Sequence, residues 1–293
     1  MTDKPSSLNN TDSLSAADDI FANSSGIAVA GQFTFDSAVA RVFPDMIKRS
    51  VPGYAETVAM SGVIAGEYAR DDTNLYDLGC SLGAVTLAMR HGVKAKNCKI
   101  IGIDNSSAMI EQAGHYLALD EGSVNVELMC ADITTQKIEN ASVVALNYVL
   151  QFIAQDQRLD LLTHIVKGLN PGGALILSEK ICFDDDEQPL QDKLHLDFKR
   201  ANGYSELEIA QKRTALEKVM RIDSLPEHME RLENAGFSHS TPWFQRFNFM
   251  ERWGKRLWPL FSGVTIVVAT KRTIPLTPIT QPWRAKRLFP RPV

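Results

Sequence analysis

Short apolar β-type runs alternate with helical segments through the middle of the chain, from about residue 74 to residue 177. The runs predicted to be strands are Asn74–Leu78, Cys98–Ile103, Val124–Met129, Ser142–Leu146 and Ala174–Leu177. The helical segments between them are Ala84–His91, Ser107–Leu119 and Arg158–Leu169. Strands that are joined through helices pair in parallel and are covered on both faces. The pattern therefore predicts an α/β fold with a doubly wound, mostly parallel sheet.

The chain before this alternation is predicted to be helical. Apolar residues recur at mixed spacings of three and four from about Gly31 to Ser50, which indicates helix pieces around a break at Pro44. After a turn at Pro52-Gly53, one helix is expected over Tyr54–Arg70. Its expected buried residues are Val58, Met60, Val63 and Ile64. The later helix at 158–169 is expected to bury Leu159, Leu162, Ile165 and Val166, and a turn is expected at Asn170–Gly173.

The pattern changes after Glu179. Residues 184–222 are rich in Lys, Arg and Glu and have helical composition, interrupted at Asn202-Gly203. Because this stretch is too long for a simple crossover, it predicts a helical cap inserted in the α/β domain. Another helix, Pro226–Ala235, is expected to end at Gly236. Two late strands are predicted at Trp243–Phe249 and Val264–Thr270.

Three regions are expected along the chain. Residues 1–30 are dominated by small polar residues and are predicted to be disordered. Residues 31–270 are expected to form the α/β domain, with its cap at about 184–222. Residues 271–293 contain five prolines and six Lys or Arg residues without an acid, which predicts an unstructured basic tail.

Composition excludes several classes of function. The 293-residue chain has a net charge of −4 and a pI of about 5.9, which give no reason to expect direct nucleic-acid binding. No run reaches the roughly 18 apolar residues of a membrane span. The N-terminal segment lacks an apolar h-region, and the four cysteines have irregular spacings without a C-x-x-C pair. These features predict a cytoplasmic protein without a metal site, whose cysteines are reduced. The four cysteines are Cys80, Cys98, Cys130 and Cys182.

The strongest local signal is the octapeptide Tyr76-Asp77-Leu78-Gly79-Cys80-Ser81-Leu82-Gly83, in which a strand leads through a glycine-containing loop into a helix. Small residues let backbone N–H groups approach a ligand closely, and Gly79 can adopt a positive φ. In an open α/β sheet, the ligand lies beyond the carboxyl ends of the strands. The loop is not G-x-G-x-x-G, and no P-loop motif occurs in the chain. A nucleoside without a pyrophosphate is therefore favoured.

Acids follow the next two predicted strands. Asp104 is placed to accept two hydrogen bonds from a ribose diol, and Asp132 to accept one from an adenine amine. Each feature also has a simpler interpretation. The glycine loop can be a tight turn, Asp104 can be a helix N-cap (as can Asn105 or Ser106), and Asp132 can be a solvated loop acid. Together with Asp77, the acids at three successive strand ends favour a nucleoside site.

Several of these motifs resemble the Rossmann-like fold of class I S-adenosylmethionine-dependent methyltransferases: YDLGCSLG, IGIDNS, ADI and LNPGGALILSEK. Longer segments resemble one branch, the carboxy-S-adenosylmethionine synthases of bacterial wobble-uridine tRNA modification: FDSAVARVFPDMIKRSVPGY, ENASVVALNYVLQF and DFKRANGYSELEIAQKR. The resemblance runs from about Phe33 to Phe249. The chain departs from the family pattern at Met250–Gly263, which intervenes before the last strand and leaves its pairing open.

The resemblance implies a homodimeric enzyme that converts S-adenosylmethionine and prephenate to carboxy-S-adenosylmethionine and phenylpyruvate. A second enzyme then uses the product to carboxymethylate a tRNA uridine. By motif match, the residues implied to contact S-adenosylmethionine are Tyr54, Gly79, Cys80, Ser81, Asp104, Asn105, Asp132, Ile133 and Asn147. Arg213 is implied to be the catalytic and substrate-binding residue that contacts the transferred carboxylate. The basic residues expected to form a lid are Lys199, Arg200, Lys212 and Arg213.

Three alternatives remain open at this point. A conventional methyltransferase would use the same fold and cofactor with another acceptor. A hydrolase would use Ser81, because residues 79–83 also satisfy the G-x-S-x-G pattern of a nucleophile elbow. The histidines available to it are His164, His195, His228 and His239. A nucleoside sensor without catalysis would bind the ligand and leave Arg213 incidental.

Overall fold

A central sheet organises the computed structural model, which describes residues 35–217, 219–245 and 264–271. The strand order is β3-β2-β1-β4-β5-β8-β7, and the short strand β6 pairs with the end of β5. Strands β1 to β6 pair in parallel, whereas β8 is antiparallel to both β5 and β7. The strands are β1 Asn74–Leu78, β2 Lys99–Asp104, β3 Asn125–Cys130, β4 Ala141–Asn147, β5 Leu169–Cys182, β6 Asp223–Ser224, β7 His239–Gln245 and β8 Val264–Thr270.

Helices connect the strands and cover the sheet. They are α1 Ser37–Ser50, α2 Tyr54–Tyr68, α3 Ala84–Gly92, α4 Ser107–Ala118, α5 Gln155–Gly168, α6 Gln188–Ala201, α7 Glu206–Glu217 and α8 Leu225–Ala235. A short 3₁₀ turn, Leu150–Phe152, precedes α5. Helices α6 and α7 lie between β5 and β6 and form the inserted cap. Within the described residues, no helix is both long enough and apolar enough to cross a bilayer.

Alternate residues of the central strands face two apolar layers. Leu75 of β1 and Val143 of β4 belong to the layer that includes residues of α2 and α3. Their neighbours Tyr76 and Val144 belong to the layer that includes residues of α5 and α8. Because both faces are buried, the strands are almost continuously apolar, and they appear in the sequence as apolar runs. The doubly wound, mostly parallel sheet predicted from the sequence is confirmed.

Two predictions about the first helices are wrong. Helix α1 continues through Pro44, since proline has a helical φ and sacrifices only one hydrogen bond. The buried residues Phe43 and Met46 flank it and keep their packing. In α2, Val63 is 60% exposed although the sequence predicts it to be buried. The helix has apolar residues around most of its circumference, so the pattern does not identify its inner face.

Three further local predictions are corrected. Leu159 of α5 is exposed, and Leu161 is buried instead. Residues 170–173 lie within β5, where the register shifts between β4 and β5, with Gly172 at a φ of 81°. The strand expected at 243–249 is observed as β7, which begins earlier than predicted, at His239. Residues 243–245 of the prediction lie in this strand, and residues 246–249 lie outside the described residues. The predictions for residues 1–30 and 272–293 also lie outside them.

Candidate active site

One cavity of about 560 Å³ opens at the carboxyl ends of β1, β2 and β4. This is the point where the strand order reverses, since β1 lies between β2 and β4, and ligands of open α/β sheets bind there. The ten site residues named from the sequence all line this cavity: Tyr54, Gly79, Cys80, Ser81, Asp104, Asn105, Asp132, Ile133, Asn147 and Arg213. Their assigned roles remain predictions.

The loop after β1 is fixed by the end of β2. The backbone N–H groups of Gly79 and Cys80 donate to the Ile103 carbonyl, at 2.7 and 3.0 Å. Gly79 has a φ of 75°, and a Cβ at this position would collide with Val149. The loop therefore requires glycine for two reasons, conformation and close approach.

Asp104 is held by the same loop. Its Oδ2 accepts a hydrogen bond from the Ser81 N–H at 2.9 Å, and its Oδ1 accepts one from the Ser106 N–H at 2.9 Å. Burial raises the pKa of the Asp104 carboxyl above its ordinary value. The N-cap of α4 is Ser106, whose Oγ accepts from Met109 N–H at 3.2 Å. The capping interpretation of Asp104 is therefore wrong, and its carboxylate is available to the cavity.

Asp77 lies deeper, below the loop. Its side chain is 2% exposed and accepts a 2.6 Å hydrogen bond from Thr86 Oγ1. Burial raises the pKa of Asp77 to about 6, and the charge of Asp104 adds to the shift. The two carboxylates therefore lie close enough to interact.

Asp132 follows β3 and forms the outer part of the acidic rim. It is exposed, and its Oδ1 accepts from both the backbone N–H and the hydroxyl of Thr134, at 2.9 and 2.8 Å. The next residue, Ile133, is buried against the cavity. Asp132 is thus an exposed loop acid, as in the simpler interpretation. Its hydrogen bonds within the turn also orient its carboxylate at the edge of the cavity.

The end of β4 presents an amide with unsatisfied hydrogen-bonding capacity. Both Oδ1 and Nδ2 of Asn147 are buried, and neither has a hydrogen-bond partner among the described residues. Buried polar groups are nearly always hydrogen-bonded, so an orphaned amide that lines a cavity indicates a polar ligand. The neighbouring Tyr148 has a φ of 60° and places its ring 6.2 Å from that of Tyr54.

Glu179 of β5 fixes the 3₁₀ turn that follows β4. Its carboxylate accepts hydrogen bonds from the backbone N–H groups of Val149, Leu150 and Gln151 at 2.7–3.3 Å. Burial raises the pKa of this side chain to about 8. Glu179 thereby positions a cavity wall without lining the cavity itself.

Cations occupy the opposite side of the cavity. They are Lys180 near the carboxyl end of β5, Lys199 of α6, and Lys212 and Arg213 of α7. Arg200, expected in the same group, is exposed on α6 and pairs with Asp197 and Glu206 instead. The basic lid predicted from the sequence is therefore corrected at Arg200, because this residue faces away from the cavity.

Helix α7 is attached to the C-terminus of α1. Lys212 Nζ donates to Ser50 Oγ at 2.8 Å and to the Tyr204 hydroxyl at 2.9 Å. The Arg49 guanidinium lies 3.9 Å from the centre of the Tyr204 ring, a cation–π contact. His195 of α6 donates through Nε2 to the Ser50 carbonyl at 2.9 Å. These contacts hold the cap helices over the cavity.

Comparisons with known proteins identify the family. Residues 75–173 match the model of a methyltransferase domain. The carboxy-S-adenosyl-L-methionine synthase of Marinobacter nauticus is 54% identical over 219 residues, which are 74% of this chain and 88% of that protein. The synthase of Pseudomonas putida is 57% identical over 222 residues, covering 74% and 90% of the two chains. The chain belongs to the carboxy-S-adenosyl-L-methionine synthase family.

Solved structures of methyltransferases have a fold similar to that of this synthase-family chain. Human N-acetylserotonin methyltransferase in complex with SAM has a TM-score of 0.53 at 16% identity, covering 81% of this chain and 56% of that one. An O-methyltransferase from Nostoc punctiforme has a TM-score of 0.52 at 18% identity, covering 80% and 60%. The fold is therefore that of class I methyltransferases. Membership of a family of enzymes makes this chain an enzyme and excludes the sensor alternative.

Among the described residues, none of the four histidines available to a hydrolase is hydrogen-bonded to Ser81. His164, His195 and His239 make hydrogen bonds to Gln136, Ser50 and Thr241, respectively. His228 is buried, with no hydrogen-bond partner among the described residues. Within those same residues, no group of three or more potential ligands is arranged to hold a metal ion.

Sequence reasoning missed several lining residues of the synthase cavity. Lys180, His195 and Gln151 belong to this group. Lys180 was detectable in principle, because it lies near the carboxyl end of β5 and the carboxyl ends of parallel strands share one edge. No pattern distinguishes the inward side of the cap helices, where most positions are polar.

Proposed function

We propose that this protein transfers a carboxyl group from prephenate to S-adenosylmethionine, giving carboxy-S-adenosylmethionine, phenylpyruvate and water. The observation that carries the proposal is a single cavity with acids on one side and cations on the other. S-adenosylmethionine contributes a ribose diol and an adenine amine, which are donors, and prephenate contributes two carboxylates. The two ligands match the two sides.

The acidic side would hold the nucleoside. The Asp104 carboxylate, oriented by Ser81 and Ser106, would accept from the ribose hydroxyls, and Asp132 from the adenine amine. The side-chain amide of Asn147, which has no hydrogen-bond partner among the described residues, would form hydrogen bonds with the amino-acid portion of the ligand. Gly79 would let that ligand approach the loop backbone without obstruction by a side chain.

The cationic side would hold prephenate. A guanidinium matches the planar geometry of a carboxylate, so Arg213 suits the carboxylate that is transferred. Prephenate becomes aromatic when the bond to this carboxylate breaks and hydroxide leaves. The hydroxide removes a proton from the methyl group of S-adenosylmethionine, which the adjacent sulfonium acidifies, and becomes water. The carbanion of the resulting sulfonium ylide then forms a bond to the released carbon dioxide.

This route requires positioning and exclusion of water rather than a strong protein base. The side chains of the cavity are consistent with that requirement. Burial raises the pKa of Tyr54, Tyr148 and the Cys80 thiol, so all three stay protonated at neutral pH. Asp77, the most buried acid of the cavity, is already bonded to Thr86.

The product would serve a second enzyme that carboxymethylates a wobble uridine of tRNA. We propose further that the protein works in the cytoplasm as a homodimer and does not bind nucleic acid itself. The net charge of −4 supports the last point, since proteins that bind RNA generally carry a basic surface.

A conventional methyltransferase is the second candidate, because the fold is shared with enzymes of that class. One experiment separates the two. The protein is incubated with S-adenosylmethionine, with and without prephenate, and the nucleosides are analysed by mass spectrometry. Carboxyl transfer yields a sulfonium heavier by one carbon dioxide, only with prephenate, together with phenylpyruvate. Formation of S-adenosylhomocysteine without that product would favour a methyltransferase.

A further inference from the structure

We propose that Lys199 and Lys180 form a second carboxylate subsite, which binds the carboxylate that remains on the keto acid after transfer. The inference rests on the proposed function, since it assigns the second anionic group of the same substrate. Arg213 would hold the carboxylate that departs, and the two lysines the one that stays.

Lys199 differs from the other basic residues of its own helix. Lys193 pairs with Asp197 at 2.7 Å, and Arg200 pairs with Asp197 and Glu206; both cations are exposed. Lys199 is only 9% exposed and lines the cavity. Among the described residues, no side chain forms an ion pair or a hydrogen bond with its ammonium group. Lys199 is therefore a buried cation of α6 that no acid of the described residues compensates.

Its neighbours increase this excess of positive charge. Lys180, Lys212 and Arg213 line the same cavity, and Lys212 is directed to Ser50 and Tyr204. Burial, followed by the charges of Lys212, Lys180 and Arg213, lowers the pKa of Lys199 to about 8. An isolated buried charge is costly unless a partner offsets it, so a chain that keeps Lys199 in this cavity has use for an anion there.

The other titratable groups described on this side do not pair with Lys199. Asp192, on α6, accepts a 2.9 Å hydrogen bond from Gln188 Nε2. His195 lies on α6 beside these lysines, and burial together with the charges of Lys199 and Lys180 lowers its pKa to about 3. The imidazole is therefore neutral at physiological pH and donates to the Ser50 carbonyl.

The anion that fits best is a carboxylate of the second substrate. The amino-acid carboxylate of S-adenosylmethionine is a poorer match, because its ammonium group, one carbon away, would be brought against the same cations. A keto acid carries no such charge. Since the retained carboxylate is present in both prephenate and phenylpyruvate, the subsite binds substrate and product alike, and phenylpyruvate serves as the probe.

The test measures phenylpyruvate binding to the full chain by calorimetry, in the presence of saturating S-adenosylmethionine. Lys199→Met is expected to weaken phenylpyruvate binding about 10-fold or more, because a charge-assisted contact is lost. Affinity for S-adenosylmethionine should stay within about twofold of wild type. Lys199→Arg should retain most of the binding, and the exposed Lys193→Met is the matched control, with no change expected.

Proton linkage gives a second readout that a structural role would not produce. At pH 8, where free Lys199 is partly deprotonated, phenylpyruvate binding should take up protons, measured by calorimetry in two buffers of different ionisation enthalpy. Lys199→Met should abolish the uptake. Lys180→Gln provides an independent variant with the same expected loss of affinity.

Unchanged phenylpyruvate affinity in both Lys199→Met and Lys180→Gln would overturn the subsite, as would an absence of phenylpyruvate binding to wild type. A loss confined to S-adenosylmethionine would assign the lysines to the other carboxylate and also overturn it. Formation of carboxy-S-adenosylmethionine by wild type is measured separately. If that activity is absent while Lys199 still governs phenylpyruvate binding, the proposed function fails and the subsite stands.

Discussion

The Ser81 N–H donates a 2.9 Å hydrogen bond to Oδ2 of Asp104, which joins the glycine loop after β1 to the acid at the end of β2. A second backbone donor, the Ser106 N–H, fixes Oδ1 of the same carboxylate at 2.9 Å. The orientation of Asp104 is thus set by the main chain before a ligand arrives. Such preorganisation reduces the entropy lost on binding.

Asp104→Ala is expected to weaken S-adenosylmethionine binding by about 10- to 100-fold, because charge-assisted hydrogen bonds to the ribose are lost. Calorimetry measures the affinity, and thermal unfolding checks that the protein is folded. Asp160→Asn, at an exposed position of α5, is the control and should bind normally. Unchanged affinity in Asp104→Ala would remove the acidic side of the cavity from the nucleoside site.

Gly79→Ala should destabilise the protein by about 1–3 kcal/mol, because the positive φ and the contact with Val149 both oppose a Cβ. Adding Val149→Ala should recover part of the loss by removing the colliding methyl groups. Chemical unfolding measures both effects. Gly114→Ala is the matched control: with no atom within 4 Å of the new Cβ on α4, it should be neutral or stabilising. Equal effects of the two glycine substitutions would contradict this account.

Arg213→Ala should leave S-adenosylmethionine affinity nearly intact and reduce carboxy-S-adenosylmethionine formation by about 100-fold or more, because the transferred carboxylate loses its guanidinium partner. Mass spectrometry of the product and calorimetry of the nucleoside give the two readouts. Arg200→Ala removes a nearby guanidinium that faces away from the cavity, and its turnover should be normal. Turnover by Arg213→Ala equal to that of wild type would refute the assigned role.

Lys199→Met should raise the free energy of unfolding of the ligand-free protein by about 1–3 kcal/mol at pH 7, because it removes a buried charge that has no ion-pair partner within the described part of the chain. The folded pKa of about 8 lies below the ordinary 10.5, so the unfolded chain binds more protons between these values. Wild-type stability therefore rises with pH in this window, and the advantage of the variant shrinks. Denaturant titrations at pH 7 and pH 10 measure the difference. A constant difference would show that Lys199 bears no buried charge.

The acidic side of the cavity was predictable because topology alone determines it. Once the strands are recognised as parallel, acids that follow them, such as Asp104 and Asp132, must meet at one edge. The octapeptide Tyr76–Gly83 predicts the loop, because its glycines lie between an apolar strand and a helix. The sequence pattern was therefore sufficient to predict the sheet and the loop.

The cationic side was only partly predictable. Lys199 and Arg200 are adjacent in a polar helix, and no periodicity indicates which one points inward; the packing of α6 against the end of α1 decides it. Similarly, the exposure of Val63 depends on which face of an apolar helix meets the sheet. Tertiary contacts, not residue type, settle such cases.

The most direct test of carboxyl transfer follows the carbon atom itself. Prephenate labelled with carbon-13 in its ring carboxylate is incubated with the protein and S-adenosylmethionine in medium containing unlabelled bicarbonate. The account predicts that carboxy-S-adenosylmethionine carries the label, because the released carbon dioxide is captured within the cavity. Unlabelled product, or labelled carbon dioxide in solution with the nucleoside unchanged, would contradict it.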